Sequence, residues 1–371
     1  MNKKIMFLCG YQSLYSGNFI ASLMELENEL NRQGSNCIYV FPKDAANRPW
    51  YKELGNRGKI LMTIDFTKSK LEMAKRVASI VKEYDVDILH THLCDVIAIE
   101  LFSLLYKNKR VNVVIHIHSD FSCGKESIKI IVKDFIKYRL LACKCKFISV
   151  SSYIVRKNKK KIVFVPNALA TNRLFANDGT REEIRKAFSI KDEQILCMVY
   201  GWEPKVKGVD IAVKAICECN KNNKDKYVLG IVCGREVTKN KMKEFISKNT
   251  SLSGDEKYLI YFEPREDVFS YHRATDLLLS TSRSEGFSYT ILEMLSLGKK
   301  CVISDIPGVL WSHKYENSTV FFESENGKDC AQKILEVGDN KNLIDEETAN
   351  QIKEDYKISI WADRIIEEYK A

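Results

Sequence analysis

Short runs of β-branched and aromatic residues alternate along the chain with helix-length amphipathic segments, the pattern of βαβ units and parallel sheets. In the first half the runs predict strands near Lys4–Cys9, Asn36–Phe41, Lys59–Ile64, Asp87–Thr91, Asn112–Ile117, Phe147–Val150 and Ile162–Val165. Helical periodicity places helices between them at about Phe19–Arg32, Leu71–Tyr84, Val96–Tyr106 and Glu126–Leu141. Pro166-Asn167-Ala168 and a polar stretch through Gly179 interrupt the series and read as a connection between domains. A second series follows, with strands near Ile195–Tyr200, Tyr227–Val232, Leu259–Phe262, Leu277–Ser280 and Cys301–Ser304. Its helices fall near Val209–Asn220, Lys241–Lys248, Asp267–Ala274 and Tyr289–Leu297, and an amphipathic helix from Ile352 to Tyr369 closes the chain with Trp361 on its apolar side. The pattern predicts an α/β protein of two doubly wound domains, residues 1–170 and 171–350, with a ligand cleft at the carboxyl ends of both sets of strands.

The length of 371 residues agrees with two domains at roughly 150 residues each. No apolar run approaches the roughly 18 residues of a membrane-spanning helix. The start resembles a signal peptide, but its apolar run, Ile5–Cys9, is shorter than the roughly 7–15 residues of a secretory core. It reads as a buried first strand, and the protein as cytoplasmic. The 12 cysteines are scattered without a C-x-x-C pair, which predicts reduced, mostly buried thiols rather than a zinc site.

Charge changes the picture more. Residues 1–170 hold 28 Lys/Arg against 15 Asp/Glu, or +13; the rest hold 30 against 34, or −4, which gives the net +9. Lys125, Lys129, Lys133 and Lys137 recur every four residues and form one cationic helix stripe, and Arg156 to Lys161 adds a second basic cluster. A solvated helix face is the common meaning of such a stripe, but the local excess favours docking on an anionic membrane surface. Nucleic acid is not expected as a partner, because the basic run lacks interleaved aromatics to stack bases.

Two loops carry candidate chemistry. In the first, Ser282 to Met294, a strand ends at Ser280 and a helix opens near Ser288. The amides of Phe287, Ser288 and Tyr289 would lie at the positive end of that helix, and Gly286 would let a phosphate approach the backbone. Glu293 sits about 7.5 Å further along the helix axis, where a carboxylate could accept two hydrogen bonds from a ribose diol. Glu285 in the loop could hold hydroxyls of whatever the diphosphate carries. An ordinary helix opening with acidic residues fits the spacing equally well. In the second loop, Gly201 to Gly208, Lys207 precedes a helix and could place its ammonium on a phosphate; a solvated turn lysine would look the same.

These stretches resemble the GT-B glycosyltransferases, specifically the retaining family that includes bacterial polysaccharide and lipid glycosyltransferases, glycosyltransferase family 4. Glu285 and Glu293 match its E-x7-E motif, with Leu295 and Gly298 in place; Gly201 and Lys207-Gly208 match its G-R-x4-K-G motif. Ile162–Asn167 with Ala168 resembles the family's connection, and the segment 351–371 its helix crossing back to the first domain. The resemblance implies that Lys207 contacts the donor diphosphate, Glu293 the ribose and Glu285 the donor sugar. His118 matches the family's first-domain histidine beside the reaction centre, and Gly17 a small-residue loop facing donor phosphates and acceptor. Arg265 lies, by analogy, where the base is read. Trp202 replaces the family's phosphate-binding Arg, for which Lys205 or Arg283 could substitute, and Lys300 replaces a usual Pro.

The other candidates are weaker. His90-Thr91-His92 and His116-Ile117-His118 end two strands, and sequence offers no way to bring the pairs together as a zinc site. Asp85-Val86-Asp87 precedes a strand, at the wrong end of a sheet for ligands, and no catalytic metal is expected. The expected function is therefore metal-independent, retaining transfer of a hexose-type sugar, with no cofactor, from a UDP-sugar or GDP-sugar to a saccharide or lipid-linked hydroxyl. The alternatives are a sugar-nucleotide epimerase or phosphorylase of the same fold, or a non-catalytic subunit binding a partner glycosyltransferase. The expected location is cytoplasmic, including the inner face of the cell membrane.

Overall fold

The structure is a computed structural model that describes residues 2–56, 60–94, 98–99, 102–103, 111–118, 145–153, 162–175, 179–223, 225–234, 236–251, 254–338 and 344–370. The chain divides into two compact units, Met1–Ala168 with Ile358–Ala371, and Leu169–Lys357. The boundaries expected at 170 and 351 thus fall at 168 and 357. The basic stripe Lys125, Lys129, Lys133 and Lys137 and the cluster 156–161 lie outside the described residues.

The first unit carries a sheet of seven strands: β1 (Lys4–Cys9), β2 (Asn36–Pro42), β3 (Ile60–Ile64), β4 (Ile88–His92), β5 (Asn112–Ile117), β6 (Lys146–Ser149) and β7 (Ile162–Phe164). Their order is β3-β2-β1-β4-β5-β6-β7, all parallel. Ile5 to Cys9 are buried on both faces, as expected for a central strand between helical layers. One layer holds the helix Gly17–Arg32 and the helix Ile358–Lys370, whose Trp361, Ile365, Ile366 and Tyr369 join the core against Phe19, Leu23 and Leu26. The Lys146 ammonium fixes this last helix by donating to the Glu368 carbonyl at 2.8 Å.

The second unit repeats the plan with six parallel strands: β8 (Ile195–Tyr200), β9 (Tyr227–Val232), β10 (Leu259–Phe262), β11 (Leu277–Ser280), β12 (Lys300–Ser304) and β13 (Thr319–Phe322), in the order β10-β9-β8-β11-β12-β13. Both sheets reverse direction of winding at one place, between β1 and β4 and between β8 and β11. That switch point is where ligands bind in such sheets, beyond the carboxyl ends of the strands. Buried Asp276, just ahead of β11, ties the unit together. It accepts from Arg181 (2.6 Å), Arg185 (3.0 Å) and the amide of Leu196 (2.8 Å), joining the helix Arg181–Ala187 to β8.

The differences from the sequence expectation have local causes. β13 is four residues long, with too few alternations to register a period. The helix Arg181–Ala187 follows the polar stretch directly and is started by a capping box between Thr180 and Glu183. The closing helix is two helices, Glu346–Asp355 and Ile358–Lys370, broken where Leu169 bridges to Lys357 and donates to the Tyr356 carbonyl. Asp85 has φ +51° in a turn, and Asp87 accepts from the Lys4 amide at the amino end of the sheet.

Candidate functional site

At the carboxyl ends of β8 and β11 the loops Gly201–Gly208 and Thr281–Ser288 lie against one another. The Thr281 hydroxyl lies within hydrogen-bonding distance of the carbonyls of Lys207 (3.0 Å) and Gly208 (2.9 Å), and the Arg283 amide donates to the Val206 carbonyl (2.7 Å). Gly208 has φ +62°, and a Cβ there would stand 1.9 Å from the Thr281 carbonyl oxygen, so only glycine permits the approach. Behind the second loop, a Cβ on Gly308 would stand 1.9 Å from the Glu285 carbonyl oxygen.

This contact brings two sequence candidates together. The Lys207 ammonium donates to Glu285 Oε1 at 2.6 Å, and the Ser282 hydroxyl donates to the same oxygen at 2.7 Å. Both charged side chains are largely buried, at 17% and 10% exposure. An ammonium has three donors, so Lys207 keeps two for a ligand while Glu285 holds it in place. Trp202 is 65% exposed, with the Lys207 Nζ 5.7 Å from its ring centre. Where the resemblance has a cation, this chain presents an aromatic face.

Arg283 does not supply the second cation. Its fork is taken by Asp210 (2.9 and 2.9 Å) and Glu325 (2.5 and 2.9 Å) and by the Lys205 carbonyl (2.6 Å). Lys205 is exposed. Arg265 lies over the Tyr271 ring, 5.4 Å from its centre, and the Tyr271 hydroxyl donates to the Glu263 carbonyl at 2.9 Å.

After Gly286 the helix Tyr289–Leu295 opens with Ser288 as its cap, accepting from the Ile291 amide. Phe287 stacks its ring on Trp311, ring centres 4.4 Å apart. Glu293 is engaged in a way the sequence did not foretell. Its Oε1 accepts from Arg173 (2.9 Å), and its Oε2 from His272 Nε2 (2.9 Å), whose Nδ1 faces the Tyr200 hydroxyl (2.9 Å). An ionised carboxylate only accepts, so the proton on His272 Nε2 is fixed. Burial raises the Glu293 carboxyl, but the His272 hydrogen bond and the Arg173 charge outweigh it and hold it below the ordinary glutamate value. Burial and then the Glu293 charge push the Tyr200 phenol well up, so it stays protonated. Arg173, His272 and Tyr200 were missed because their sequence neighbourhoods carry no motif.

In the first unit Gly17 opens its helix at φ +56°, beside the Tyr11 hydroxyl, which donates to the carbonyls of Tyr15 and Ser16. The two histidine pairs, expected to stay apart, meet because β4 and β5 are neighbours with His92 opposite His116. His118 Nε2 lies 2.9 Å from His92 Nδ1, and His90 Nδ1 lies 2.6 Å from the Tyr369 hydroxyl. Burial pushes the His118 imidazole down to about 3. Burial and then the neighbouring imidazoles push His90, His92 and His116 well below the ordinary range, so all four are neutral near pH 7.

Residues 180–357 match the family model of glycosyl transferases group 1. The chain is 26% identical over 168 residues to the O-antigen biosynthesis glycosyltransferase WclY of Escherichia coli, covering 45% of this chain and 43% of that one. It is 27% identical over 267 residues to the uncharacterized glycosyltransferase MJ1178 of Methanocaldococcus jannaschii, covering 71% and 69%. The chain thus spans less than half of the first relative's length. Among solved structures it is similar to a glycosyltransferase from Rickettsia africae (TM-score 0.76, 18% identity, 100% and 98% covered). It is also similar to Anabaena HepE in complex with UDP and glucose (TM-score 0.77, 15% identity, 98% of each chain). The fold is the GT-B arrangement of two parallel sheets flanked by helices, and the second unit is similar to the glycosyl transferases group 1 model over residues 180–357.

The depressed Glu293 carboxyl makes a prediction with a definite sign. A group whose folded value is lowered stabilises the fold above its unfolded value and loses that contribution as pH falls toward the folded value. Urea unfolding of wild type and Glu293→Gln across the acid range should show the gap between them narrowing as pH falls. A gap that stays constant would mean that folding leaves the Glu293 carboxyl unshifted, and a gap that widens as pH falls would mean that folding raises it.

Proposed function

We propose that the chain is a retaining glycosyltransferase of the family 4 type. It would move a hexose-type sugar from a UDP-sugar or GDP-sugar to a hydroxyl of a saccharide or lipid-linked acceptor, with no cofactor and no catalytic metal. The observation that carries this reading is the Lys207–Glu285 pair at the switch point of the group 1 domain. Its ammonium, largely buried beside a carboxylate that fixes its position, suits the charge that grows on a departing nucleoside diphosphate. Glu285 orients the transferred sugar, and Glu293 receives the ribose. The backbone of Gly286, Phe287 and Ser288 approaches the phosphates.

Retention needs no second carboxylate in this reading: the acceptor hydroxyl attacks the face that the diphosphate leaves, and the leaving phosphate oxygen takes its proton. His118, with its Nε2 occupied by His92, has Nδ1 left to support the reaction centre. Gly17 would border the donor phosphates, Arg265 the base, and Lys205 the outer phosphate as a mobile cation. Similarity to the O-antigen biosynthesis glycosyltransferase WclY favours a role in cell-surface polysaccharide or glycolipid synthesis. We place the protein in the cytoplasm, including the inner membrane face. Among the described residues no helix is long and apolar enough to cross a membrane.

Two experiments test this. A thermal-shift screen of nucleotide sugars should single out a donor, after which release of nucleoside diphosphate should depend on an added acceptor. Lys207→Ala should then lower kcat by about 100- to 1,000-fold. An unchanged rate, or nucleotide and free sugar released without acceptor, would contradict transfer by this site. For the membrane surface, the charge excess around Lys125, Lys129, Lys133 and Lys137 predicts co-flotation with anionic but not with neutral liposomes. Equal recovery from both would remove that partner.

A further inference from the structure

His90, His92 and His116 stand at the carboxyl ends of neighbouring central strands and are 0%, 1% and 3% exposed. Among the described residues Nε2 of His90, Nε2 of His92 and both ring nitrogens of His116 have no hydrogen-bond partner. Leaving so many imidazole nitrogens dry and unpaired in one core is unfavourable, and such clusters of orphaned atoms point to something that joins them. One ligand nitrogen from each of the three rings lies within 4.8 Å of the others.

We propose that these three histidines bind a divalent transition-metal ion of the zinc class inside the first unit. The glycosyl-transfer reading uses no metal, and the site meets it only where His92 bonds His118. Imidazole suits zinc, cobalt and nickel, and a three-histidine set leaves a fourth position for water or an anion. Zinc–nitrogen bonds of about 2.0–2.1 Å require ligand nitrogens about 3.4 Å apart, so ring rotations of about 1 Å would close the site.

The outer atoms of the cluster are arranged as metal sites arrange them. Ligating histidines commonly donate the second ring N–H to a partner that fixes tautomer and orientation. His90 has the Tyr369 hydroxyl in that place at 2.6 Å, and His92 has His118 Nε2 at 2.9 Å. With His92 donating from Nδ1, its Nε2 lone pair faces the cluster. An ion there would also lock His118 as the acceptor of that bond, leaving its proton on Nδ1. Tyr369 comes from the last helix, so the ion would fasten that helix to the sheet through His90.

The test uses the untagged full chain, expressed with added zinc and purified without chelator. Metal analysis should find about one equivalent of zinc per chain. Stripped protein titrated with Co2+ should develop the absorption bands of a low-symmetry nitrogen-ligated site. His116→Gln should lose both signals while keeping its circular-dichroism spectrum. Zinc at blank level together with no cobalt bands in the wild type would overturn the proposal, leaving an ordinary buried water to join the rings. Metal retained undiminished in folded His116→Gln would overturn it too, by putting the ion elsewhere. Should His116→Gln not fold, the wild-type cobalt titration alone decides.

Discussion

The second unit's site depends on one backbone contact, the approach of the loop after β8 to the loop after β11. Thr281 supplies a hydroxyl beside two carbonyls of the first loop, and Gly208 supplies the missing Cβ that lets the chains touch. Without that contact Lys207 and Glu285, 78 positions apart, would have no reason to meet. The pair is partly shielded from water, where an ammonium and a carboxylate interact more strongly than on an open surface. The arrangement leaves the ammonium charged, oriented and only partly satisfied, which is the state a phosphate ligand can use.

A second carboxylate, Glu293, is held by a different device. Arg173 and His272 fix its charge and orientation, and Tyr200 steadies His272 from behind. Removing one partner of a buried charged pair strands the other, at a cost of about 3–5 kcal/mol. Glu293 therefore serves the fold as well as any ligand, and its replacement by alanine would disturb both. The two carboxylates of one short motif thus differ in kind: Glu285 pairs with a cation that has donors to spare, and Glu293 is itself held by Arg173 and His272.

Much of this was legible in the sequence. Ile195–Tyr200 and Tyr227–Val232 were placed at their observed bounds, because buried parallel strands are apolar on both faces and punctuated by polar turns. The E-x7-E and K-G spacings pointed to the loops that meet. What stayed hidden were contacts made by chain reversal at long range. Nothing near Arg173 or His272 announces Glu293, and the pairing of β4 with β5 that gathers four histidines depends on strand order rather than on spacing. Arg283 looked like a spare cation until Asp210 and Glu325 closed on it.

The central claim is that Lys207, steadied by Glu285, holds the diphosphate of a nucleotide. Calorimetric titration of UDP and of GDP into the wild-type chain and into Lys207→Met tests it most directly. The account predicts that one nucleotide binds the wild type and that its affinity falls at least about tenfold in the variant, the loss of one charge-assisted contact. Equal affinity in both proteins would contradict it.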